Sequence, residues 1–267
     1  MNKLPIIRRV LLSAMIGMVL IPASDAQQKS GGVDNTHLLM ATLWYQRADE
    51  FSALCYQAYN LAQLRLDQEM ATGRSVKPRA IVVDIDETVL DNSPFEARCI
   101  VNRTNYPTGW SEWVVAANAG AIPGAVEFLN YASSLGVEVF YISNRKEKER
   151  ASTIDNLMNQ RFPMADSSHL LLRTTETNKE ARRNHVLASH KIVMLMGDNL
   201  NDFTSAFEGN TPLERRQNAD SLQHEFGRRY IVLPNPMYGD WEGALWLEES
   251  PNDSIKNVKR LNNLILK

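Results

Sequence analysis

The chain predicts an α/β fold, a parallel sheet flanked by helices, carrying a smaller, mainly helical cap. Short apolar runs alternate with stretches of helical periodicity along most of its length, which is the signature of βαβ units. The first run, residues 80–83, is apolar and largely β-branched, as suits a strand buried on both faces. Several runs end in a carboxylate or a hydroxyl, and strand C-termini are where open α/β sheets bind ligands.

The length of 267 residues allows one large domain with an inserted or appended cap, and 44% hydrophobic residues supply a core. A net charge of −2 without any basic run gives no electrostatic argument for a nucleic-acid polymer or a membrane surface as partner. At the N-terminus, Lys3, Arg8 and Arg9 precede an apolar run at 10–21, followed by Pro22 and Ser24-Asp25-Ala26. This reads as a secretory signal peptide, residues 1–26, cleaved after Ala26. An uncleaved anchor is the alternative, disfavoured because the run is shorter than the ~20 residues that span a bilayer. No Cys near the cleavage point can accept a lipid, so the expectation is a periplasmic or secreted protein with no stable membrane anchor.

Residues 27–34 are polar and contain Gly, a lead-in expected to be disordered. From 34 to 72 apolar residues recur at three- and four-residue spacing, predicting helix that Gly73 ends. This region packs on the sheet or joins the cap, with Trp44, Tyr45, Tyr56 and Tyr59 read as core rather than ligand contacts. Cys55 and Cys99 are the two cysteines, and they form either one disulfide or two buried thiols.

The strand at 80–83 runs into Asp84-Ile85-Asp86-Glu87-Thr88. Two carboxylates about 4 Å apart repel by roughly 4 kcal/mol at an effective dielectric near 20, so the pair implies a cation, a shared proton or splayed side chains. The bland alternative is a loop start, where Asp is common. Residues 92–122 lack a sustained period, hold Pro94, Pro107, Gly109 and Gly120 with Trp110 and Trp113, and predict an insertion over the site. Pro123-Gly124 then opens a helix at 125–135 that Gly136 ends.

A second strand, 137–142, leads to Ser143-Asn144-Arg145 and a helix at 145–160. The Ser143 hydroxyl suits either a phosphate oxygen or the N-cap of that helix. A third short strand, 170–172, precedes Lys179 at the start of a charged helix, 179–189. A lysine there opposes the helix dipole unless it meets an anion, so Lys179 is a candidate phosphate ligand or else a solvated surface residue. A fourth strand, 191–196, ends in Gly197-Asp198-Asn199-Leu200-Asn201-Asp202, adding two acids. Oxygen ligands without His or Cys favour a hard cation such as Mg²⁺. A fifth strand at 229–233 and a terminal helix at 255–266 complete the chain.

Asp84-Ile85-Asp86-Glu87-Thr88, Ser143-Asn144-Arg145, Lys179 and Gly197-Asp198-Asn199-Leu200-Asn201-Asp202-Phe203 resemble, in order, the four motifs of the haloacid dehalogenase-like phosphotransferases. With Val89-Leu90-Asp91-Asn92 continuing the first motif, they resemble most closely the class C bacterial acid phosphatases, which include 5′-nucleotidases and outer-membrane lipoprotein acid phosphatases. The likeness extends from the N-terminal helical region to Pro234-Asn235-Pro236-Met237-Tyr238-Gly239. The missing lipid-accepting Cys is the departure. The resemblance implies a Rossmann-like core at about 78–267, with cap elements at about 34–73 and 92–122.

It also implies roles. Asp84 is the nucleophile, Asp86 the acid and base, and Ser143 and Lys179 the phosphate ligands. Asp84, Asp198 and the Asp86 main-chain carbonyl hold Mg²⁺, with Asp202 behind them. Trp110 and Tyr238 are the rings expected to stack on a substrate base, the alternative being that they only pack the cap. The expected partner is a small phosphomonoester, and oligomeric state is left open, a homodimer included. Three functions compete: an exported phosphatase acting on nucleoside 5′-monophosphates, a broad phosphatase or phosphotransferase, and a non-catalytic storage or binding relative. The presence of Asp84 argues against the last.

Overall fold

Why five short runs make one sheet is visible in their alternation. In β1 (Arg79–Val83) Ile81 and Val83 enter a large core on one face while Ala80 and Val82 enter a smaller core on the other. Such a strand needs layers on both sides, which parallel sheets with crossover helices provide. The computed structural model describes residues 32–247 and 251–266. The expected signal peptide and most of the polar lead-in lie outside them.

The sheet has the order β5–β4–β1–β6–β7, all parallel, with β4 Glu138–Lys146, β5 Leu170–Arg173, β6 Lys191–Gly197 and β7 Tyr230–Val232. Register sets Val83 beside both Tyr141 and Met196, so the residues that follow β1 and β6 emerge at one edge next to the outer half of β4. A two-stranded antiparallel ribbon, β2 (Leu90–Asp91) with β3 (Gly120–Ala121), stands after β1.

The helical stretch read at 34–72 divides. A 3₁₀ turn, Thr36–Leu38, and α1 (Leu39–Arg47) are separated from α2 (Asp49–Met70) by Ala48, whose backbone is extended at ψ 125°. α1 lies on α3 (Ser93–Asn102) of the insertion, whereas α2 flanks the sheet beside β6, β7 and α5 (Ala125–Ser134). Tyr45 and Tyr59 are core as expected, but Tyr56 is half exposed. Cys55 and Cys99 are separate buried thiols.

Residues 92–122, read as aperiodic, contain two helices, α3 and α4 (Trp110–Val115). α3 ends at Arg103 in the left-handed conformation, and Pro107 with Gly109 separates it from α4, so neither runs long enough to show a sustained period. β4 also runs further than expected, through Ser143 to Lys146, and α6 (Arg150–Asn159) starts only after a 3₁₀ turn. Ser143 is therefore a strand residue and caps no helix. α7 (Glu180–Ser189) returns over the second face, and α8 (Pro212–Ser221) is opened by a reciprocal Thr211–Glu214 capping box. Two short C-terminal helices follow, α9 (Asp240–Gly243) and α10 (Asp253–Asn262), the latter capped by Asn252 and showing Ile255, Val258 and Leu261 to solvent.

Candidate active site

At the C-terminal edge of the sheet the loops after β1 and β6 bring carboxylates together. Asp84 follows β1 directly, its N–H donating to the Met196 carbonyl at 2.9 Å, which ties the first loop to β6. The chain then turns sharply. Glu87 sits at φ +58°, a left-handed conformation that costs a non-glycine residue roughly 1–3 kcal/mol, and the turn is closed by N–H groups of Val89 and Leu90 on the Ile85 carbonyl, each at 2.9 Å. The buried Glu87 carboxyl accepts the Asn92 N–H at 2.8 Å, and burial followed by repulsion from Asp86 and Asp198 pushes its pKa far above the usual carboxylate range. Held neutral, it fixes the turn without adding charge.

Asp84, Asp198 and Asp202 each offer an oxygen, and these oxygens lie within 4.8 Å of one another. Lys179, buried at the start of α7, reaches between them, pairing with Asp84 and with Asp202 Oδ1 at 2.6 Å. It is no solvated surface residue. One ammonium does not balance three carboxylates. Burial and the neighbouring Asp202 and Asp84 push Asp198 well up, and burial likewise raises Asp84 against the pull of Lys179. Burial acts to lower Lys179, but the Asp202 and Asp84 carboxylates outweigh it and keep the ammonium charged. The deficit of positive charge and the all-oxygen donor set fit a hard divalent cation.

Gly197 is required by the same crowding, since a side chain there would collide with the Asp202 carboxyl. Asp202 accepts the Asn199 N–H at 3.0 Å, and Asp198 accepts from Asn235 Nδ2 at 2.8 Å and from Thr88 Oγ1 at 3.4 Å. Asp202, expected behind the metal ligands, contributes an oxygen to the cluster itself. The Asp86 carboxyl is not part of this group and is held instead by Arg145 and Ser143 of β4 and by Asn92.

Those partners are strong ones. Arg145 donates to Asp86 Oδ1 through Nη2 at 2.8 Å and Nε at 3.0 Å, Asn92 Nδ2 donates to the same oxygen at 2.8 Å, and Ser143 Oγ approaches Oδ2 at 3.3 Å. Ser143 is fully buried at this position. The Trp113 indole N–H donates to Asn92 Oδ1 at 2.7 Å, so the Asn92 amide can face Asp86 only with its nitrogen. A cavity of about 820 Å³ opens in front of the cluster, with Trp110 and Tyr238 both in its wall. Trp110 packs edge-on against Phe95 and Tyr106, with ring centres 5.1 and 5.8 Å away, and the Arg145 guanidinium lies 5.7 Å from its ring.

Residues 27–241 match the family described as HAD superfamily, subfamily IIIB (Acid phosphatase). The chain belongs to this family. The class C acid phosphatase from Bacillus anthracis superposes with a TM-score of 0.83 at 46% identity, covering 86% of this chain and 97% of that one, and a second structure of it has tungstate bound. Acid phosphatase 1 of Solanum lycopersicum is 29% identical over 59% of this chain, and the stem 31 kDa glycoprotein of Glycine max is 27% identical over 59%. These matches span only 57% and 58% of those relatives' own lengths.

Within this acid phosphatase family chain, several site residues were not singled out from the sequence. Arg145 and Asn92 stood inside the motifs without a role, and Asn235 stood in the Pro-Asn-Pro turn. Arg182 and Arg183 of α7 were invisible as site residues. They hold the loops from behind, Arg182 on the Ser143 carbonyl at 2.6 Å and Arg183 on the Asp202 carbonyl at 3.0 Å. The one available signal was two adjacent arginines in the helix that begins with Lys179.

Proposed function

We propose that the protein is an exported, Mg²⁺-dependent acid phosphatase that hydrolyses phosphomonoesters, nucleoside 5′-monophosphates above all, through an aspartyl-phosphate. The observation that carries this is Asp84, a buried carboxylate at a strand end, paired with Lys179 and lining a cavity that Trp110 and Tyr238 also line. A relative solved with tungstate, an oxyanion of phosphate's shape, supports the same reading.

An Asp84 oxygen attacks phosphorus as the bond to the leaving oxygen breaks, and Asp86 gives that oxygen its proton. Water then attacks the phosphorus of the aspartyl-phosphate, losing a proton to Asp86, and the bond to Asp84 breaks to release phosphate. Lys179 and the Ser143 hydroxyl stabilise charge on the transferring phosphoryl oxygens. Asp84 and Asp198, with the Asp86 main-chain carbonyl, would hold Mg²⁺, which when bound neutralises charge between nucleophile and phosphate. Asp86 must be neutral in the first step and ionised in the second, and an acidic optimum follows. Export rests on the N-terminal sequence, and the family match beginning at residue 27, next to the expected cleavage point, supports it.

The test is hydrolysis of a chromogenic phosphomonoester at mildly acidic pH, which chelation should abolish and added Mg²⁺ restore. Asp84→Asn should reduce turnover by several orders of magnitude while keeping the fold, because Asn conserves volume, relieves repulsion and is a poor nucleophile. Full activity after exhaustive metal removal, or near-normal turnover by Asp84→Asn, would overturn the mechanism.

A further inference from the structure

Glu96 lines the catalytic cavity from α3, in the same wall as Tyr106 and Trp110. Its neighbour Phe95 turns inward, edge-on to Trp110. Three other carboxylates that line the cavity are engaged by the protein: Asp240 accepts from Asn199 at 2.8 Å, Glu208 from Asn178 at 2.6 Å, and Glu242 pairs with Arg260 at 2.7 Å. Among the described residues, Glu96 has no hydrogen-bond donor and no cation. A half-buried acid with no protein partner, open to a cavity too large for a phosphate alone, is a polar group free to meet a ligand.

We infer that Glu96 is a specificity-determining residue whose carboxyl hydrogen-bonds hydroxyl groups on the organic part of the phosphomonoester, as a sugar phosphate presents them. The inference rests on reading the cavity as a phosphomonoester site. Burial pushes the Glu96 carboxyl up to about 7, so both its forms occur across the working range of an acid phosphatase. A hydroxyl suits both, donating to the carboxylate and accepting from the acid, whereas an ammonium group would meet only the ionised form. The flanking rings supply flat apolar surface for the remainder of the ligand.

Steady-state kinetics on ribose 5-phosphate, adenosine 5′-monophosphate and phenyl phosphate, with the parent enzyme, Glu96→Ala and Glu96→Gln, test this. Glu96→Ala should raise KM for the two sugar phosphates roughly tenfold, the worth of about one buried hydrogen bond, and change phenyl phosphate less than twofold. Glu96→Gln, which still accepts and donates, should recover most of the loss. Equal losses on all three substrates, or an unchanged KM for ribose 5-phosphate in an Ala variant that still turns over phenyl phosphate, would overturn the role of Glu96 and leave the phosphatase reading standing. A parent enzyme inactive on all three would remove both.

Discussion

Glu96 and Glu87 show how one residue type is set to opposite uses by its partners. Glu87 accepts from Asn92 and closes a strained turn, while Glu96 is half-buried without a donor and pushed from 4.5 to about 7. Between those two pH values the folded chain keeps a proton that the unfolded chain releases, so stability from this group is full below about 4.5 and is lost as pH rises through 7. Glu96→Gln should therefore match the parent near pH 4 and exceed it at pH 8 by an amount on the order of 3 kcal/mol, read by chemical denaturation at the two pH values. An equal difference at both would show that Glu96 titrates normally. Asp86 is set by partners too: Arg145, Asn92 and Ser143 all donate to it, and Trp113 fixes which way Asn92 points.

At the scale of elements, the cavity is a meeting of the insertion and the segment after β7. Trp110 begins α4 and Tyr238 lies just before α9, so two elements remote in sequence bring rings to one cavity. Stacking on a base is worth roughly 1–3 kcal/mol, so Tyr238→Ala should raise KM for nucleoside 5′-monophosphates about tenfold and leave a small aliphatic phosphate nearly unchanged. Trp110→Ala should do the same with some added loss of stability, because Trp110 also packs on Phe95. Equal losses on both substrates would leave only a broad phosphatase. The ends of β1 and β6 were legible because each couples an apolar run to an acid. α3 and α4 were not, since ten and six residues interrupted by Pro107 and Gly109 are too short to show a period. The break at Ala48 was hidden for the converse reason, apolar spacing continuing across a change of axis.

At the scale of the molecule, no helix among the described residues is long and apolar enough to cross a membrane. The expected signal segment lies outside those residues, and its cleavage is a matter for measurement. Exported protein should begin at or near Gln27 with no acyl mass, as read by intact mass and N-terminal sequencing. A membrane-extracted species that keeps Met1 would show an anchor instead.

By itself the sequence determined the α/β class, the strand-end positions of Asp84 and Asp198, and the order of the site residues along the chain. Burial alternation, helix breakers and acids after strands are local signals, carried within a few residues. Which carboxylates share a centre was decided by the tertiary structure alone. Asp202 reaches Asp84 and Asp198 because Gly197 lets its carboxyl approach the backbone, the Asp86 carboxyl is held by Arg145 and Asn92, and Lys179 turns inward because two acids remote in sequence meet it. These are contacts between residues up to 95 positions apart, formed only when parallel strands in register bring their ends to one edge.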